Sequence, residues 1–285
     1  MMSREHSPTF RRRLLARELR KIRRDRQLTN AQVAEAMDVR QPWISRIETG
    51  ARGIQLKDLK RLLDFYEIGP GDYRDKLVDL AKEARQRGWW HAYRDVLPPQ
   101  YAEYIGLEAE ASEVLNFEPL SVPGLLQTAD YARAMMSGTL TEMSEEEIER
   151  RVEVRMARQT LLTVTPSPRL WFIIDEAALR RLVGGPSVMR TQLRHILERA
   201  RLPRVKVQVL PLAAGAHPGT AGSFAIIRFA EASEPIPYIE TIAGDLYLEK
   251  PEEIRTCNLA WSYLTAKAIG PVESLELISK VAEEC

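Results

Sequence analysis

Cysteine is almost missing from this chain of 285 residues: Cys257 and Cys285 are the only two, which gives neither a disulfide framework nor the paired spacing of a zinc site. Histidine is as scarce. His6, His91, His195 and His217 stand apart from any cysteine and from each other, so the sequence holds no metal-ligand spacing. Long hydrophobic runs are also lacking. The longest, Val209 to Ala216, is interrupted by Pro211 and Gly215 and falls far short of the roughly 18 residues a membrane span needs. No Gly-x-Ser-x-Gly elbow, phosphate-binding glycine loop, internal repeat or low-complexity segment is present, which removes the commonest enzyme signatures and the solenoid folds. The amino end leads into an arginine-rich amphipathic stretch rather than an apolar core with a small-residue cleavage site, so it does not read as a secretory signal. The expectation is a cytoplasmic protein with no membrane segment, no metal and no cofactor.

What is present is a globular composition: 45% hydrophobic and 28% charged residues, enough for two domains at about 150 residues each. The net charge of +1 conceals an asymmetry. Residues 1–88 carry 21 basic and 13 acidic side chains, a net of +8, and the remainder carries −7. A basic head suits a polyanion, and an acidic body would confine that polyanion to one face.

Helical periodicity dominates the head. Phe10, Leu14, Leu15, Leu19 and Ile22 lie on one face of a basic helix over 10–26. Thr29 and Gln32 form a capping box that starts a second helix, which buries Val33, Ala34 and Met37. After a turn at 38–40, residues 41–49 read as a third helix with Ile44 and Ile47 inward, ended by Gly50. Two more helices follow at about 56–66 and 72–87. Near residue 88 the arginine clusters thin and prolines appear, so a boundary is placed between an all-α domain, 1–87, and a second domain, 88–285. Strands are expected at 111–117, 169–174, 205–210, 222–229, 236–242 and 246–249, with Gly244-Asp245 as the turn of a closing hairpin. Helices are expected at about 123–137, 144–162, 176–182, 186–200, 251–269 and from 272. Ser144 and the three glutamates after it are read as a capped helix start rather than a metal site. The fold class is therefore α+β, the second domain being mixed α/β around a mostly antiparallel sheet.

Leu28-Thr29, Val33-Ala34, Gln41, Ser45-Arg46-Ile47-Glu48 and Gly50, at their spacing, resemble the helix-turn-helix of the Cro and phage-repressor-like (XRE) family of DNA-binding proteins. The physics agrees, because a short capped helix followed by one presenting polar side chains fits a major groove about 12 Å wide. The resemblance implies that Arg40, Gln41 and Arg46 read bases, and glutamine suits adenine as arginine suits guanine. Asn30 matches a position that braces the reading helix or touches a phosphate, and Thr29 stands at a helix amino terminus able to meet the same backbone. Arg52 and Lys57 are candidate phosphate contacts, with an ordinary solvated surface as the alternative. Trp43 replaces the usual small residue and either packs against DNA or folds back into the core. Asp38 replaces the usual turn glycine, which its tolerance of left-handed geometry permits. Arg23 and Glu48 match an ion pair tying the first helix to the reading helix.

Gly88-Trp89-Trp90, residues 101–111 and residues 122–133 resemble the domain of uncharacterised function that follows such modules in many actinobacterial regulators. The two resemblances imply a sequence-specific transcriptional regulator and not an enzyme. Its partners would be double-stranded DNA, a second copy in a homodimer, and a small protein encoded alongside. The alternative is an antitoxin-like module that neutralises that small protein and regulates its own expression. The amphipathic stretch 144–162, with Ile148, Val152, Met156 and Leu162, is the expected dimer surface. Trp89 and Trp90 read as core anchors at the domain junction, and His217 as a loop histidine satisfied by backbone.

Overall fold

The computed structural model describes residues 7–86, 88–138, 143–230 and 234–285. The chain divides into two compact units, one reaching His91 and one from Ala92 to Cys285. Each has its own core.

The first unit is five helices: α1 (Pro8–Asp25), α2 (Asn30–Ala36), α3 (Gln41–Glu48), α4 (Leu56–Phe65) and α5 (Asp72–Glu83). Ser7 caps α1 by accepting from the amide of Phe10, and Pro8 sits in the first turn, where its missing N–H costs nothing. The apolar stripe of α1, Phe10, Leu14, Leu15, Leu19 and Ile22, is buried against Val33, Ile44, Ile47, Leu59, Leu63 and Leu77 from the other four helices. Helix α5 stops at Glu83, short of 87, because its carbonyls turn to i+3 partners: the amides of Arg85 and Gln86 donate to Lys82 and Glu83. Arg87 lies outside the described residues. A 3₁₀ turn, Trp89–Tyr93, follows, with Trp90 buried and Trp89 exposed.

The first four helices all end on a left-handed residue: Gln27 (φ 55°), Asp38 (φ 53°), Gly50 (φ 71°) and Glu67 (φ 53°). After α1, α2 and α4 the two amides that follow fold back onto the last turn. Leu28 and Gln27 donate to Arg23 and Arg24, Val39 and Asp38 to Ala34 and Glu35, and Ile68 and Glu67 to Leu63 and Asp64. This double bond satisfies carbonyls that a helix end leaves open and reverses the chain within about three residues. Only one of the four positions is glycine.

The second unit is built on a six-stranded sheet in the order β3-β2-β1-β4-β5-β6. Its strands are β1 (Glu113–Glu118), β2 (Arg169–Asp175), β3 (Val205–Leu210), β4 (Phe224–Arg228), β5 (Ile236–Thr241) and β6 (Gly244–Tyr247). The pairs β1·β2 and β2·β3 are parallel, and the other three are antiparallel. The sheet is thus mostly antiparallel with a parallel flank; the interior of β2, Leu170 to Ile174, is continuously apolar, whereas β1 carries Glu113, Asn116 and Glu118 among Val114, Leu115 and Phe117. The helices are α6 (Pro99–Glu110), α7 (Ala129–Ser137), α8 (Glu145–Arg158), α9 (Glu176–Arg180), α10 (Pro186–Arg199), α11 (Pro251–Lys267) and α12 (Pro271–Glu284). Trp261 of α11 meets Trp171 edge-on at 5.6 Å and Phe224 at 6.5 Å, sealing one face over Leu115, Phe117, Ile173 and Ile226. Helix α12 packs on α10 and β3, where the buried hydroxyl of Ser274 accepts from the amide of Val209.

Four sequence expectations change. No element was expected at 99–110, yet α6 is there; Tyr104 to Glu108 are buried without interruption, so it has no polar face to give a 3.6-residue period. The expected helix 123–137 is broken into a 3₁₀ turn, Gly124–Leu126, and α7. Fully buried Gln192 closes the break by donating to the carbonyl of Leu126 (2.6 Å) and accepting from the amide of Thr128 (2.7 Å). The hairpin turn lies at Ile242-Ala243 rather than Gly244-Asp245, since Tyr238 pairs with Tyr247 and Thr241 with Gly244. The hydroxyl of Thr241 accepts from Ala243 and donates to Gly244 across that turn. Finally, Val152 and Leu162 of the expected dimer stripe are buried inside their own domain, while Ile148 and Met156 are half-buried.

Left-handed geometry is strained for a β-carbon-bearing residue and free for glycine. Glu67 is exposed, so Glu67→Gly should stabilise the first unit by about 0.5–1 kcal/mol, after the greater flexibility of the unfolded glycine is set against the relieved strain. A thermal midpoint unchanged or lowered in calorimetry would contradict this.

Candidate nucleic-acid interface

Helix α3 is held from behind by one arginine. Arg23, on the last turn of α1, donates from Nε and Nη2 to the two carboxylate oxygens of Glu48 at 2.7 and 2.8 Å, and from Nη1 to the carbonyl of Leu28 at 2.6 Å. Glu48 is the last residue of α3 and only 7% exposed. The planar guanidinium therefore fixes three pieces of chain together: α1, the turn into α2, and the carboxyl end of α3. Donating to the Glu48 carboxylate raises the Arg23 pKa still further, and burial beside the pair pushes the ionisation of Tyr66 upward. Tyr66 beside the pair is fully buried, and its hydroxyl has no hydrogen-bond partner among the described residues.

Helix α2 starts as the capping pattern requires. Thr29 Oγ1 accepts from the amide of Gln32 (3.2 Å), and Gln32 Oε1 accepts from the amide of Thr29 (2.9 Å). That arrangement occupies the Thr29 side chain within its own helix end. Asn30, the first residue of α2, is half-buried.

On α3 the inward residues are Ile44, Ile47 and Glu48, and the outward ones are Gln41, Pro42, Ser45, Arg46 and Thr49. Arg40, at the amino cap, and Arg52, just beyond the helix, are exposed as well. Among the described residues none of Arg40, Arg46 and Arg52 has a carboxylate within ion-pair distance, which leaves three uncompensated guanidinium groups around one short helix. Trp43 is half-buried and so serves both alternatives raised by its size. Ser45 was passed over in the sequence, although its spacing of four from Gln41 places it on the same exposed face. Asp38 takes the left-handed turn that glycine would have taken.

The candidate for chemistry in the second unit is not an open loop residue satisfied by backbone. The His217 ring is buried, with Nε2 3.5 Å from Asp175 Oδ2, Nδ1 without a partner, and Phe117 edge-on at 6.0 Å. Asp175 is itself occupied in capping α9 through the amide of Ala177. Among the described residues no group of three or more His, Cys, Asp or Glu side chains is placed to hold a metal, and no helix is long and apolar enough to cross a membrane.

Two consecutive short helices, the second with its polar side turned out and its carboxyl end tied to a preceding helix, define a helix-turn-helix protein. The chain belongs to the family carrying the domain of unknown function DUF5753, which matches residues 101–280, while residues 14–77 match a helix-turn-helix domain. Nothing matches the chain among curated proteins or among solved structures.

Removing one partner of a buried ion pair strands the other charge, at about 3 kcal/mol or more. Glu48→Ala should accordingly lower the thermal midpoint of the first unit strongly, leaving the unfolding of the second unit where it was. Wild-type stability combined with altered DNA preference would instead make Glu48 a reader.

Proposed function

We propose that the protein is a sequence-specific DNA-binding transcriptional regulator that inserts α3 into the major groove. The observation that carries this reading is the outward face of α3, where Gln41, Ser45 and Arg46 stand together without internal partners while Arg23 and Glu48 hold the helix from behind. Gln41 and Arg46 offer bidentate hydrogen bonding to adenine and guanine, and Ser45 between them adds a shorter donor or acceptor. Arg40, Arg52, Asn30 and the amino end of α2 at Thr29 supply phosphate contacts that set register without reading sequence. Trp43 supports the reading helix from its edge, where its ring can also meet sugar or a thymine methyl. The head's net charge of +8 drives the encounter. In this reading the second unit does no catalysis; it assembles two chains so that both heads engage half-sites about one helical turn apart.

Gln41→Ala and Arg46→Ala should each weaken binding to the preferred site by about 1–3 kcal/mol and relax preference at one base position. Binding to unrelated DNA should be nearly unchanged. Sites selected from random oligonucleotides by wild type and by each variant measure this directly, and identical consensus sequences would reject the assignment of α3.

The dimer is tested apart from DNA. A fragment of residues 88–285 should sediment as a dimer at tens of micromolar and the 1–87 fragment as a monomer, as expected when the larger surface lies in the second unit. The reverse pattern would place the interface in the head.

A further inference from the structure

Among the described residues, the face of the sheet opposite α11 is not sealed. Val114, Asn116, Phe172 and Ala225 alternate with the residues beneath Trp261 and line a cavity of about 850 Å³, bounded also by α6, α7, α8 and the β5–β6 hairpin. That size is within the range of small-molecule sites and far above the packing voids of a domain core. All of its wall belongs to the second unit.

The charges in that wall are sorted in an informative way. Arg151, Arg155 and Arg158 follow one another at i, i+4 and i+7 along α8 and all reach the cavity. Arg158 is consumed: it binds both oxygens of buried Glu108 at 2.8 and 3.0 Å and lies between the rings of Tyr101 and Tyr104. Arg151 is paired with Glu147 at 2.7 Å. Arg155 has no carboxylate within ion-pair distance among the described residues. It touches Gln127 Oε1 at 3.2 Å and lies over Tyr101. Gly124 makes room for it, since a β-carbon there would come within 2.7 Å of Arg155 Nη1.

Among the described residues, four buried side-chain polar atoms of the second unit have no hydrogen-bond partner, and three of them belong to residues lining this cavity: Arg151 Nε, Arg155 Nε and the hydroxyl of Tyr238. Tyr238 is 5% exposed, and burial pushes its ionisation upward, with Glu240 and Asp245 acting in the same direction. Each such group costs about 1–3 kcal/mol, so their concentration at one cavity is unfavourable for an empty core and natural for a site that a ligand completes.

The remaining wall sets the kind of molecule. Tyr104 packs on Tyr238 at 4.3 Å, and Met135 and Met136 of α7 add adaptable apolar surface. Glu118, Glu240 and Asp245 are acidic, so a doubly charged phosphate would meet three carboxyl groups with one free arginine. A single negative charge balances Arg155 alone. Burial pushes the Glu118 carboxyl up to about 7, with Glu240 acting in the same direction and Asn116, Ser121 and Arg155 against it. Near neutrality much of Glu118 is therefore protonated and able to donate to a ligand oxygen.

We propose that this cavity binds a small organic monocarboxylate, its carboxylate on Arg155 and its aromatic or aliphatic body against the tyrosine and methionine wall. The inference concerns the second unit and stands whether or not α3 reads DNA.

The test is calorimetric titration of the full-length protein with 1-naphthoate, 4-phenylbutyrate and decanoate, each beside its uncharged alcohol. At least one acid should bind with one site per chain, and its alcohol should bind about tenfold or more weakly. Arg155→Gln should weaken the acid by a similar factor while leaving the alcohol unchanged, and Arg155→Lys should restore part of the loss. Gly124→Ala provides a second variant that crowds only the mobile end of Arg155 and should weaken the acid without disturbing the fold. The proposal is overturned if none of the acids binds at roughly 1 mM, a concentration that detects even weak sites. It is equally overturned if acid and alcohol bind alike, or if Arg155→Gln and Gly124→Ala both bind the acid as wild type does.

Discussion

The fork between Arg23 and Glu48 is the contact on which the rest of the head depends. Its guanidinium joins α1, the turn before α2 and the end of α3, and does so with two carboxylate bonds and one carbonyl bond from a single planar group. Lysine could offer a charge there but not this fixed geometry. Because Glu48 faces inward at the end of α3, the opposite side of the same short helix is turned outward, and Gln41, Ser45 and Arg46 follow without further support. A reading helix of eight residues is too short to be stable alone, so its orientation has to be imposed by neighbours.

The same division of labour recurs in the second unit. Arg158 and Glu108 are both nearly inaccessible and tie α8 to α6, again as a two-pronged pair, here between two tyrosine rings. Paired guanidinium groups thus act as structural ties in both units. Those without a carboxylate, Arg40, Arg46 and Arg52 in the head and Arg155 in the cavity, remain available to an anion from outside. Charge alone does not separate the two kinds; burial of the partner does.

Left-handed helix ends give the head its compactness. Four reversals in succession let helices of 7 to 18 residues close on one core without long loops. Three of them are made by residues that bear a β-carbon, and that strain is offset by paired carbonyls at each end. The second unit uses different means. The antiparallel flank ends in a hairpin beside the cavity, and β1 and β2 contribute Val114, Asn116 and Phe172 to its wall.

Most of the head was legible in the sequence because its signals are local. The capping box at Thr29 and Gln32, the stripe of α1 and Gly50 each depend on residues within one or two turns, and the structure reproduces all three. The five strands ahead of the hairpin turn were legible too, as short runs rich in apolar residues. Helix α6 was not, since burial on every side erases the period that marks a helix. Nor was the interruption at Gly124–Leu126, which depends on Gln192, distant in the chain. By itself the sequence determined most of the segments that become helices and strands and which arginines are candidates for recognition. Only the tertiary structure decided which arginines are consumed by buried carboxylates and that the sheet keeps an unfilled face, because both depend on contacts between residues tens of positions apart, which no local pattern encodes.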